Sequence, residues 1–470
     1  MSYQVPQHID PNKVFLVNHS ELEGRLDSDF YNPSYYQIFD SEKVKWVRLK
    51  SVIENLKHPP EYKRVFATEG YQLIRSQNVR PTGINLSDNP VFLADEVVQS
   101  SSTIFPHVND ILIVRSGVNA GDVAVVEEEF KNVIIGADTL LLNVTKDVLP
   151  KFVQIYFMTD IGRKQLNRHI TGATNKHLNS FSLKRVYFPK VDIEIQSKCI
   201  SIIESAFVEN IHKNEQAKGL LESIDSYLLG ELGIQLPEMK SPTLQDRMFV
   251  VNLSDANGER LDPMFYTSQF SNIVAKLYDS TECKRLGQIV HFSTEIWNQK
   301  DYYEKEFPYI EIGAINIPHG KIEDVSFIPV EQAPSRARVI VRTGDIIIST
   351  TRPDRGAIIK ITENENLYIA STGFSVIRNV DNNINPDYLL AILRHRLILM
   401  QMRQRSTGGN YPAITQEELS KIIIPILPLS KQQEIVDQIS AIRKQAKALQ
   451  EEGKAILEQA KKEVEHMILG

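Results

Sequence analysis

One stretch of this sequence occurs twice, and the repetition constrains the fold more than any other feature. Residues 171–203 begin with a Thr-Gly pair, and a shift of 236 residues returns the same pattern at residues 407–439 without a gap. Each copy runs from a Thr-Gly loop into a short apolar strand ending in proline, then into a long helix carrying Gln196 or Gln432. The fold must therefore use a loop, a strand and a long helix twice.

The repetition extends over most of the chain. Upstream landmarks keep nearly the same offset: Arg25-Leu26-Asp27 with Arg260-Leu261-Asp262, Asp110-Ile111 with Asp345-Ile346, Gly121 with Gly356, and Pro150 with Pro386. These landmarks predict an internal duplication of a unit of about 200 residues, far longer than the repeats of solenoid proteins.

Each copy is predicted to mix strands and helices. β-branched runs separated by Gly, Asn and Asp predict strands at residues 110–115, 123–126 and 139–144, and further strands at 185–189 and 421–425. A helix is predicted to start at Pro150 in one copy and at Pro386 in the other, and to continue to the Thr-Gly loop. The prolines and weak periodicity of residues 231–259 indicate a connection between the copies.

The two long helices show apolar residues at coiled-coil spacing. The predicted seam of the second helix is Ile435, Ile439, Ile442, Ala446, Leu449, Gly453, Ile456, Ala460 and Met467; that of the first is Ile200, Ile203, Phe207, Ile211, Ala217, Leu221, Ile224 and Leu228. Helices of about 38 residues are ~57 Å long, so an antiparallel pair would act as a spacer. Dimerisation or simple core packing by these helices is the alternative.

The predicted fold class is α+β, with two similar mixed α/β domains separated by a pair of long antiparallel coiled-coil helices. The predicted boundaries are 1–190 for the first domain, 191–234 for the central helix, 235–255 for a linker, 256–428 for the second domain and 429–470 for the C-terminal helix.

Composition excludes several classes of protein. A net charge of −6 does not suit a small autonomous nucleic-acid binder, so any polyanion site must be local or shared with another subunit. Two cysteines, Cys199 and Cys283, cannot form a disulfide framework and lack metal-ligand spacing. With neither a signal-like start nor a run of ~18 apolar residues, we expect a cytoplasmic protein without a membrane span.

The sequence contains no convincing catalytic motif. Phosphate-binding glycine loops, HExxH and CxxC are all missing. Asn32-Pro33-Ser34-Tyr35 is close to an amino-methyltransferase motif, but no glycine-rich cofactor loop precedes it, so a turn is favoured. The E-x-K of Glu61-Tyr62-Lys63 is common by chance in a chain with 24% charged residues.

Polar and basic residues gather around the Thr-Gly loops in both copies. Lys and Arg can neutralise phosphates, while Asn, Gln, Ser and Arg can read base edges. The alternative is a solvated helix face whose C-terminal end favours cations. The candidate DNA-contacting residues are Arg75, Gln77, Asn78, Arg80, Arg115, Ser116, Arg163, Lys164, Thr174, Asn175, Lys176, Asn316, Thr350, Thr351, Arg352, Asp354, Arg355, Arg403, Asn410 and Tyr411. Other basic residues before the loops are Arg168, His169, Arg394, His395, Arg396 and Arg405.

The order of these elements resembles the specificity subunit of type I restriction-modification systems. The most specific segments are 406–412 (STGGNYP), 424–435 (IPILPLSKQQEI) and 344–350 (GDIIIST). The first copy departs from the pattern, because it lacks a second proline after Pro189 and has Asn109 before Asp110.

The resemblance implies a non-catalytic subunit with two target recognition domains, each binding half of a bipartite double-stranded DNA site. It also implies that the long helices dock two adenine methyltransferase subunits carrying S-adenosylmethionine, and that restriction subunits using ATP and Mg²⁺ complete the complex. This chain would bind no cofactor or metal, and its source would be bacterial or archaeal.

Three other functions remain open at this stage. The chain could serve a methyltransferase without a nuclease, act as a self-contained enzyme on DNA, or be a structural adaptor that does not bind DNA. The presence of a neighbouring methyltransferase gene would discriminate among them.

Overall fold

The computed structural model describes residues 10, 13–23, 25–35, 44–63, 65–99, 102–172, 175–235, 248, 250, 252, 263–301 and 305–470. The chain divides into two compact units: unit 1 comprises Met1–Lys213 with Glu451–Gly470, and unit 2 comprises Asn214–Gln450. The division falls inside both long helices rather than at their ends. Residues 260–262 and most of the predicted linker lie outside the described residues.

Unit 1 contains twelve strands within its described residues. They are β1 (Trp46–Arg48), β2 (Ile53–Lys57), β3 (Phe66–Ala67), β4 (Tyr71–Ile74), β5 (Val79–Arg80), β6 (Gly83–Ile84), β7 (Phe92–Leu93), β8 (Ile111–Val114), β9 (Val123–Val125), β10 (Val133–Ile135), β11 (Thr139–Val144) and β12 (Tyr187–Pro189). Its two four-stranded sheets have the orders β2-β11-β8-β9 and β10-β4-β7-β3, and β1 pairs with β12.

Unit 2 also contains twelve strands in its described part. They are β13 (Cys283–Arg285), β14 (Val290–Phe292), β15 (Glu306–Ile310), β16 (Ile315–Asn316), β17 (Lys321–Ile322), β18 (Ser326–Pro329), β19 (Ala337–Ile340), β20 (Ile346–Ser349), β21 (Ile358–Lys360), β22 (Ile369–Ser371), β23 (Phe374–Val380) and β24 (Ile423–Pro425). The sheet orders are β14-β23-β20-β21 and β18-β15-β22-β19, and β13 pairs with β24.

The sheet β2-β11-β8-β9 of unit 1 and the sheet β14-β23-β20-β21 of unit 2 have the same topology. β8 and β20 both lie between an edge strand and the longest strand of their sheet, with antiparallel neighbours on each side. In the other four-stranded sheet of each unit, β4 pairs in parallel with β10, and β15 pairs in parallel with β22. The prediction of mixed α and β structure is confirmed.

β8 is apolar throughout, and β20 is apolar up to the buried Ser349 at its end, because both faces of each strand are covered. Ile111 and Ile113 face a core shared with the helices, whereas Leu112 faces a second core shared with the sheet β10-β4-β7-β3. In unit 2, Ile346 and Ile348 face the helix-side core and Ile347 faces the other one. The end of each strand is therefore the first point at which the chain can reach the surface.

The helices are assigned as follows. Unit 1 has α1 (Asp95–Gln99), α2 (Pro150–Met158), α3 (Asp160–His169), α4 (Ser180–Lys184) and the start of α5 (Ile193–Glu231); unit 2 has α6 (Ser268–Ser280), α7 (Leu286–Ile289), α8 (Pro386–Leu393), α9 (Arg396–Arg405), α10 (Gln416–Ser420) and the start of α11 (Leu429–Leu469). The strand predicted at residues 139–144 is confirmed with those bounds.

The prediction of one helix from each proline to the Thr-Gly loop is wrong, because each segment contains two helices. In unit 1 the break is at Thr159, whose side chain caps α3 by accepting the Gly162 N–H. In unit 2 the break is at Arg394 and His395, and the His395 ring caps α9 by accepting the Leu397 N–H. These side-chain caps satisfy backbone groups that a continuous helix would use internally.

The long helices α5 and α11 run in opposite directions within each unit. In unit 1, Lys213 pairs with Glu452 at 2.9 Å, and the Cys199 Sγ lies 3.7 Å from the Met467 Sδ. In unit 2, the Glu231 carboxylate pairs with Lys431 at 2.6 Å. A Cβ on Gly453 would lie 2.7 Å from the Asn210 Oδ1, so the absence of a side chain lets the two helices approach closely here.

Most predicted seam residues are buried or half-buried. Ile203, Ala217, Leu228, Ile435, Ile439, Ala446, Gly453 and Ala460 are buried, and Phe207, Leu221, Ile224, Ile442, Leu449 and Ile456 are half-buried. Ile211 departs from the prediction, since 56% of its surface is exposed. Val464 and Ile468, which the spacing analysis omitted, are buried against unit 1.

Gln196 and Gln432 form the same three hydrogen bonds in their respective units. The Gln196 Oε1 accepts the Leu149 N–H at 2.8 Å, and its Nε2 donates to the carbonyls of Asp147 and Val191, each at 2.9 Å. The Gln432 Oε1 accepts the Asn385 N–H at 2.7 Å, and its Nε2 donates to the carbonyls of Asn383 and Leu427 at 3.1 and 2.7 Å. Each amide joins a long helix to the start of a proline-led helix.

We expect Gln432→Leu to lower the free energy of unfolding by about 3 kcal/mol, because three backbone groups lose a partner in the interior at ~1 kcal/mol each. Urea unfolding followed by circular dichroism measures the change. Gln438→Leu is the matched control, since Gln438 is exposed on the same helix. Equal midpoints for the two variants would show that the Gln432 contacts contribute nothing to stability.

Candidate nucleic-acid interface

The Thr-Gly loop folds into a closed hairpin in both units. Thr171 and His177 exchange two backbone hydrogen bonds of 2.9 and 2.7 Å, and Thr407 and Ala413 exchange two of 2.8 Å. Gly172 and Gly408 adopt φ values of +94° and +98°, which favour glycine. At Gly172 a Cβ would also lie 2.2 Å from the Asn175 carbonyl oxygen, so a side chain cannot be accommodated there.

A second loop lies beside each hairpin, at the end of β8 or β20. In unit 1 the Leu178 N–H donates to the Arg115 carbonyl, and in unit 2 the Ile414 N–H donates to the Thr350 carbonyl. We call residues 115–121 with 171–178, and residues 350–356 with 407–414, the paired loops of units 1 and 2. Ala173 and the candidate Thr174 lie outside the described residues.

The paired loops of unit 2 present a stacked arginine and tyrosine. The guanidinium carbon of Arg352 lies 4.4 Å from the ring centroid of Tyr411, and its Nη2 donates to the Asn410 carbonyl at 2.9 Å. Tyr411 is 71% exposed, and Asn410 and Arg355 are also exposed. Thr350 and Thr351 are half-buried. A planar cation held on an aromatic ring has exposed N–H groups in a defined orientation.

Arg352 has a left-handed backbone conformation, with φ +48° and ψ +52°. This conformation costs a non-glycine residue roughly 1–2 kcal/mol. Unit 1 has Gly117 at the corresponding position, with φ +95°. The Gly117 N–H donates to the Lys176 carbonyl at 3.0 Å, just as the Arg352 N–H donates to the Pro412 carbonyl at 2.7 Å. The scaffold therefore requires this conformation in both units.

The paired loops of unit 1 carry different side chains. Asn175 and Lys176 are exposed, and Val118 is 84% exposed. The Ser116 Oγ lies 3.1 Å from the His177 Nδ1. Partial burial, together with the nearby Arg115 and His58, lowers the pKa of His177, so its ring is neutral near neutral pH. The two units thus combine similar loop backbones with different chemistry.

Ion pairs neutralise several of the basic candidates. Arg163 and Arg80 both face the Asp122 carboxylate, at 3.0 and 3.6 Å. Arg403 pairs with the candidate Asp354 at 3.4 Å. The Arg115 Nη1 lies 2.6 Å from the His58 ring. Lys164 is exposed on α3. Arg80, Arg163 and Arg403 are thus held by carboxylates, whereas Arg115 and Lys164 form no ion pair with a described residue.

Comparison with known proteins locates a family domain over unit 2. Residues 278–459 match the family model described as type I restriction modification DNA specificity domain, and this segment includes the paired loops of unit 2 and most of α11. The chain resembles type I restriction-modification specificity subunits. The resemblance expected from the motifs is therefore confirmed.

Individual relatives agree with this family match. A 115-residue segment is 29% identical to the HindI specificity subunit of Haemophilus influenzae and covers 24% of this chain and 25% of that one. A 353-residue alignment with the MjaVIII specificity subunit of Methanocaldococcus jannaschii is 19% identical and covers 73% and 74% of the two chains.

A solved structure supports the fold. The chain is similar, with a TM-score of 0.51, to a chain from a study of complex assembly and conformational transition in a type I restriction-modification system. The identity is 15%, and the match covers 90% of this chain and 96% of that one. Among the described residues, no helix is long and apolar enough to cross a membrane, and no cluster of three metal-ligating side chains is found.

One candidate residue, Asn78, is buried, which corrects its prediction as a DNA contact, and three half-buried candidates form hydrogen bonds within their own loops. Asn78 is 2% exposed, and its amide group donates to the carbonyls of Asn85 and Asp88. Arg75 and Gln77 donate to the Asn89 and Asp88 carbonyls of the same turn. In unit 2, Asn316 donates to Glu323 at 2.6 Å within the β16–β17 hairpin. A buried amide such as that of Asn78 cannot reach a base edge.

Three of the basic residues just before the Thr-Gly loops, Arg168, His169 and His395, are buried, whereas Lys164, Arg396 and Arg403 are exposed. The Arg168 side chain is buried and pairs with Glu23 at 3.2 Å, and Arg394 donates to the Ile317 carbonyl. His169 and His395 are each 2% exposed. Arg168 and His169 lie on the inner face of α3, whereas Arg394 and His395 lie at the break between α8 and α9.

Gly117 was missed by the sequence analysis, although a signal for it existed. The repeat aligns Gly121 with Gly356, and the same offset of 235 residues aligns Gly117 with Arg352. A glycine opposite an arginine in a repeated loop indicates a backbone position with positive φ.

The burial of His169 and His395 should make the protein less stable in mild acid. Burial and Arg168 lower the pKa of His169 to about 3, and burial lowers the pKa of His395, whose Nδ1 is already an acceptor. The unfolded chain therefore binds more protons than the folded one below the ordinary histidine pKa of about 6.5. Stability is full above that pH and falls as the pH decreases through it.

We expect His169 to contribute about 1.4 kcal/mol of lost unfolding free energy between about pH 7.5 and pH 5.5, and His395 to lower stability in the same direction. Arginine contacts lower the pKa of Glu23 and Glu295, so stability from those groups is lost only below about pH 4.5. Urea unfolding at three pH values should give a shallower dependence for His169→Gln, whereas the exposed control His212→Gln should match the wild type. If the unfolding free energy of the wild type and of both variants depended on pH in the same way, His169 would not be the source of the acid sensitivity.

Proposed function

We propose that this chain is the specificity subunit of a type I restriction-modification complex, in which each unit reads half of a bipartite site in double-stranded DNA. The observation that carries the proposal is the equivalence of the paired loops. Their backbones correspond in the two units, whereas the exposed side chains differ: Asn175 and Lys176 in unit 1, Arg352 and Tyr411 in unit 2. Two modules with one scaffold and different surface chemistry can read two different half-sites.

An internal duplication underlies this arrangement in our proposal. The matching sheet orders support it, as do the matching bonds of Gln196 and Gln432. A further pair is Arg168 and Gln404, which donate to the backbone carbonyls of Phe30 and Phe265 at 2.9 and 2.7 Å. Contacts that recur at one offset after the side chains have diverged are expected of two copies of one ancestral unit.

In this proposal, the long helices are a coiled-coil spacer that docks two adenine methyltransferase subunits. A groove of about 610 Å³ between α5 and α11 in unit 1 supports a docking role. Small side chains open it, including Ser201, Ser205 and Ala455, and Glu209 and Glu463 line it. Small residues along a helix pair allow a partner helix to approach closely, and the carboxylates would favour a basic partner surface.

The partners would supply the chemistry. The methyltransferase subunits would bind S-adenosylmethionine, restriction subunits would bind ATP and Mg²⁺, and this chain would position them without catalysing a reaction. A net charge of −6 accords with this division, because the partners would contribute positive charge for DNA. The complex would act in the cytoplasm of a bacterium or archaeon.

Genome methylation measured by single-molecule sequencing tests the function directly. Cells expressing the neighbouring methyltransferase genes are compared with and without this gene. We expect a split motif with methylated adenine in both halves, present only with this gene. An active methyltransferase whose methylation pattern is independent of this gene would refute the proposal and favour an adaptor that does not bind DNA.

The groove makes a second, independent prediction. Ala455→Arg places a long cationic side chain in the groove from an exposed helix position, so the chain should lose at least one methyltransferase copy in native mass spectrometry. Ala448→Arg is the matched control, because Ala448 is exposed on the same helix outside the groove lining. Equal stoichiometry for both variants, with unchanged circular dichroism, would place docking elsewhere.

A further inference from the structure

The backbone at Arg352 is strained at a position where the fold itself accepts glycine. Gly117 holds this position in unit 1 with the same type of backbone hydrogen bond to the Thr-Gly hairpin. Arginine adds nothing to that backbone bond, and its Cβ makes the left-handed conformation unfavourable. Backbone strain of this kind is concentrated at sites of function. The side chain of Arg352 must therefore do something that glycine cannot.

The contacts of Arg352 hold its charge in place without neutralising it. One N–H of Nη2 bonds to the Asn410 carbonyl, and the guanidinium plane lies over the Tyr411 ring. Within the part of the chain that the structure describes, no carboxylate forms an ion pair with Arg352, in contrast to Arg403 and its partner Asp354. The remaining N–H groups form no hydrogen bond to a described residue.

We propose that Arg352, positioned by Tyr411, is a specificity-determining residue that reads a guanine in the half-site of unit 2. This inference rests on the proposed DNA-binding function. An arginine whose fork is held by a ring and a carbonyl is pre-organised, so less rotamer entropy is lost on binding. Guanine offers two acceptors, O6 and N7, on its major-groove edge, and these match two N–H donors of arginine. Unit 1, with Gly117 here, would not make this contact.

The test uses the complex of this chain with its methyltransferase subunits and two duplexes. One duplex carries the bipartite motif found by genome methylation, and the other has a scrambled sequence. Four chains are compared: wild type, Arg352→Gly, Arg352→Lys and Leu367→Gly. Leu367→Gly is the matched backbone control, since Leu367 also has a left-handed φ of +65° in unit 2 but lies outside the paired loops. Affinity is measured by fluorescence anisotropy, and thermal unfolding by scanning calorimetry.

Arg352→Gly should raise the midpoint of thermal unfolding by about 2–4 °C, because the strain is relieved. It should also weaken binding to the motif by about 5- to 150-fold. The loss should vanish on duplexes in which one G·C pair of a single half-site is replaced. Arg352→Lys should keep binding to the scrambled duplex but lose the preference for that one G·C pair. Leu367→Gly should gain stability with no change in binding.

The experiment distinguishes a failure of the proposed function from a failure of the role assigned to Arg352. If the wild-type complex does not prefer the motif to the scrambled duplex, the proposed function itself fails. If the wild type prefers the motif and Arg352→Gly keeps the same preference at every position, only the role of Arg352 fails. A preference that Arg352→Lys fully preserves would also overturn the role, because a point charge would then suffice.

Discussion

In both units a buried glutamine side chain determines where the long helix begins. Gln196 and Gln432 each bond to one backbone N–H and two backbone carbonyls, and both are at most 1% exposed. The bonded groups belong to the segment before a proline-led helix and to the turn before the long helix. Leaving such groups without a partner in the interior is costly, so no other register of the helix satisfies them equally well. The attachment of each long helix to its sheet and helix cluster depends on this amide.

The covered sheets explain why the paired loops carry the variable chemistry. β8 and β20 are buried on both faces, so their sequences are almost entirely apolar, and the one polar residue, Ser349, has a hydrogen-bond partner. The loops that follow them are tied by backbone hydrogen bonds to the Thr-Gly hairpin, which restricts the backbone but not the exposed side chains. Substitution of those side chains leaves the scaffold intact, as the replacement of Gly117 by Arg352 between the units illustrates.

Much of the arginine in this chain serves folding. Arg378 bonds to the buried Asp345 and to Glu295, and hydrogen bonds from Arg342 and Arg378 lower the pKa of Glu295 to about 2. Arg185 and Arg168 both contact Glu23. A buried ion pair of this kind is expensive to break, because the remaining charge lies in a poorly solvated place. These arginines are committed to ion pairs within the fold and are not available for phosphate contacts.

The sequence by itself determined the repeat, the strand at residues 139–144, the two glutamines, the Thr-Gly loops and the long helices. The long helices contain 39 and 41 residues, close to the length of about 38 that the sequence predicted. These features follow from local periodicity and from an offset that a single chain displays. The sequence alone did not determine which polar residues are buried in the interior. Asn78, Arg168 and His395 have ordinary surface residue types, and only the packing of distant segments buries them. It also did not reveal the left-handed backbone of Arg352, because that conformation is imposed by a hydrogen bond to Pro412, sixty residues away. Apolar periodicity along the sequence indicates which face of a helix or strand is buried. The hydrogen-bond partner of each polar group depends instead on contacts between segments far apart in the chain.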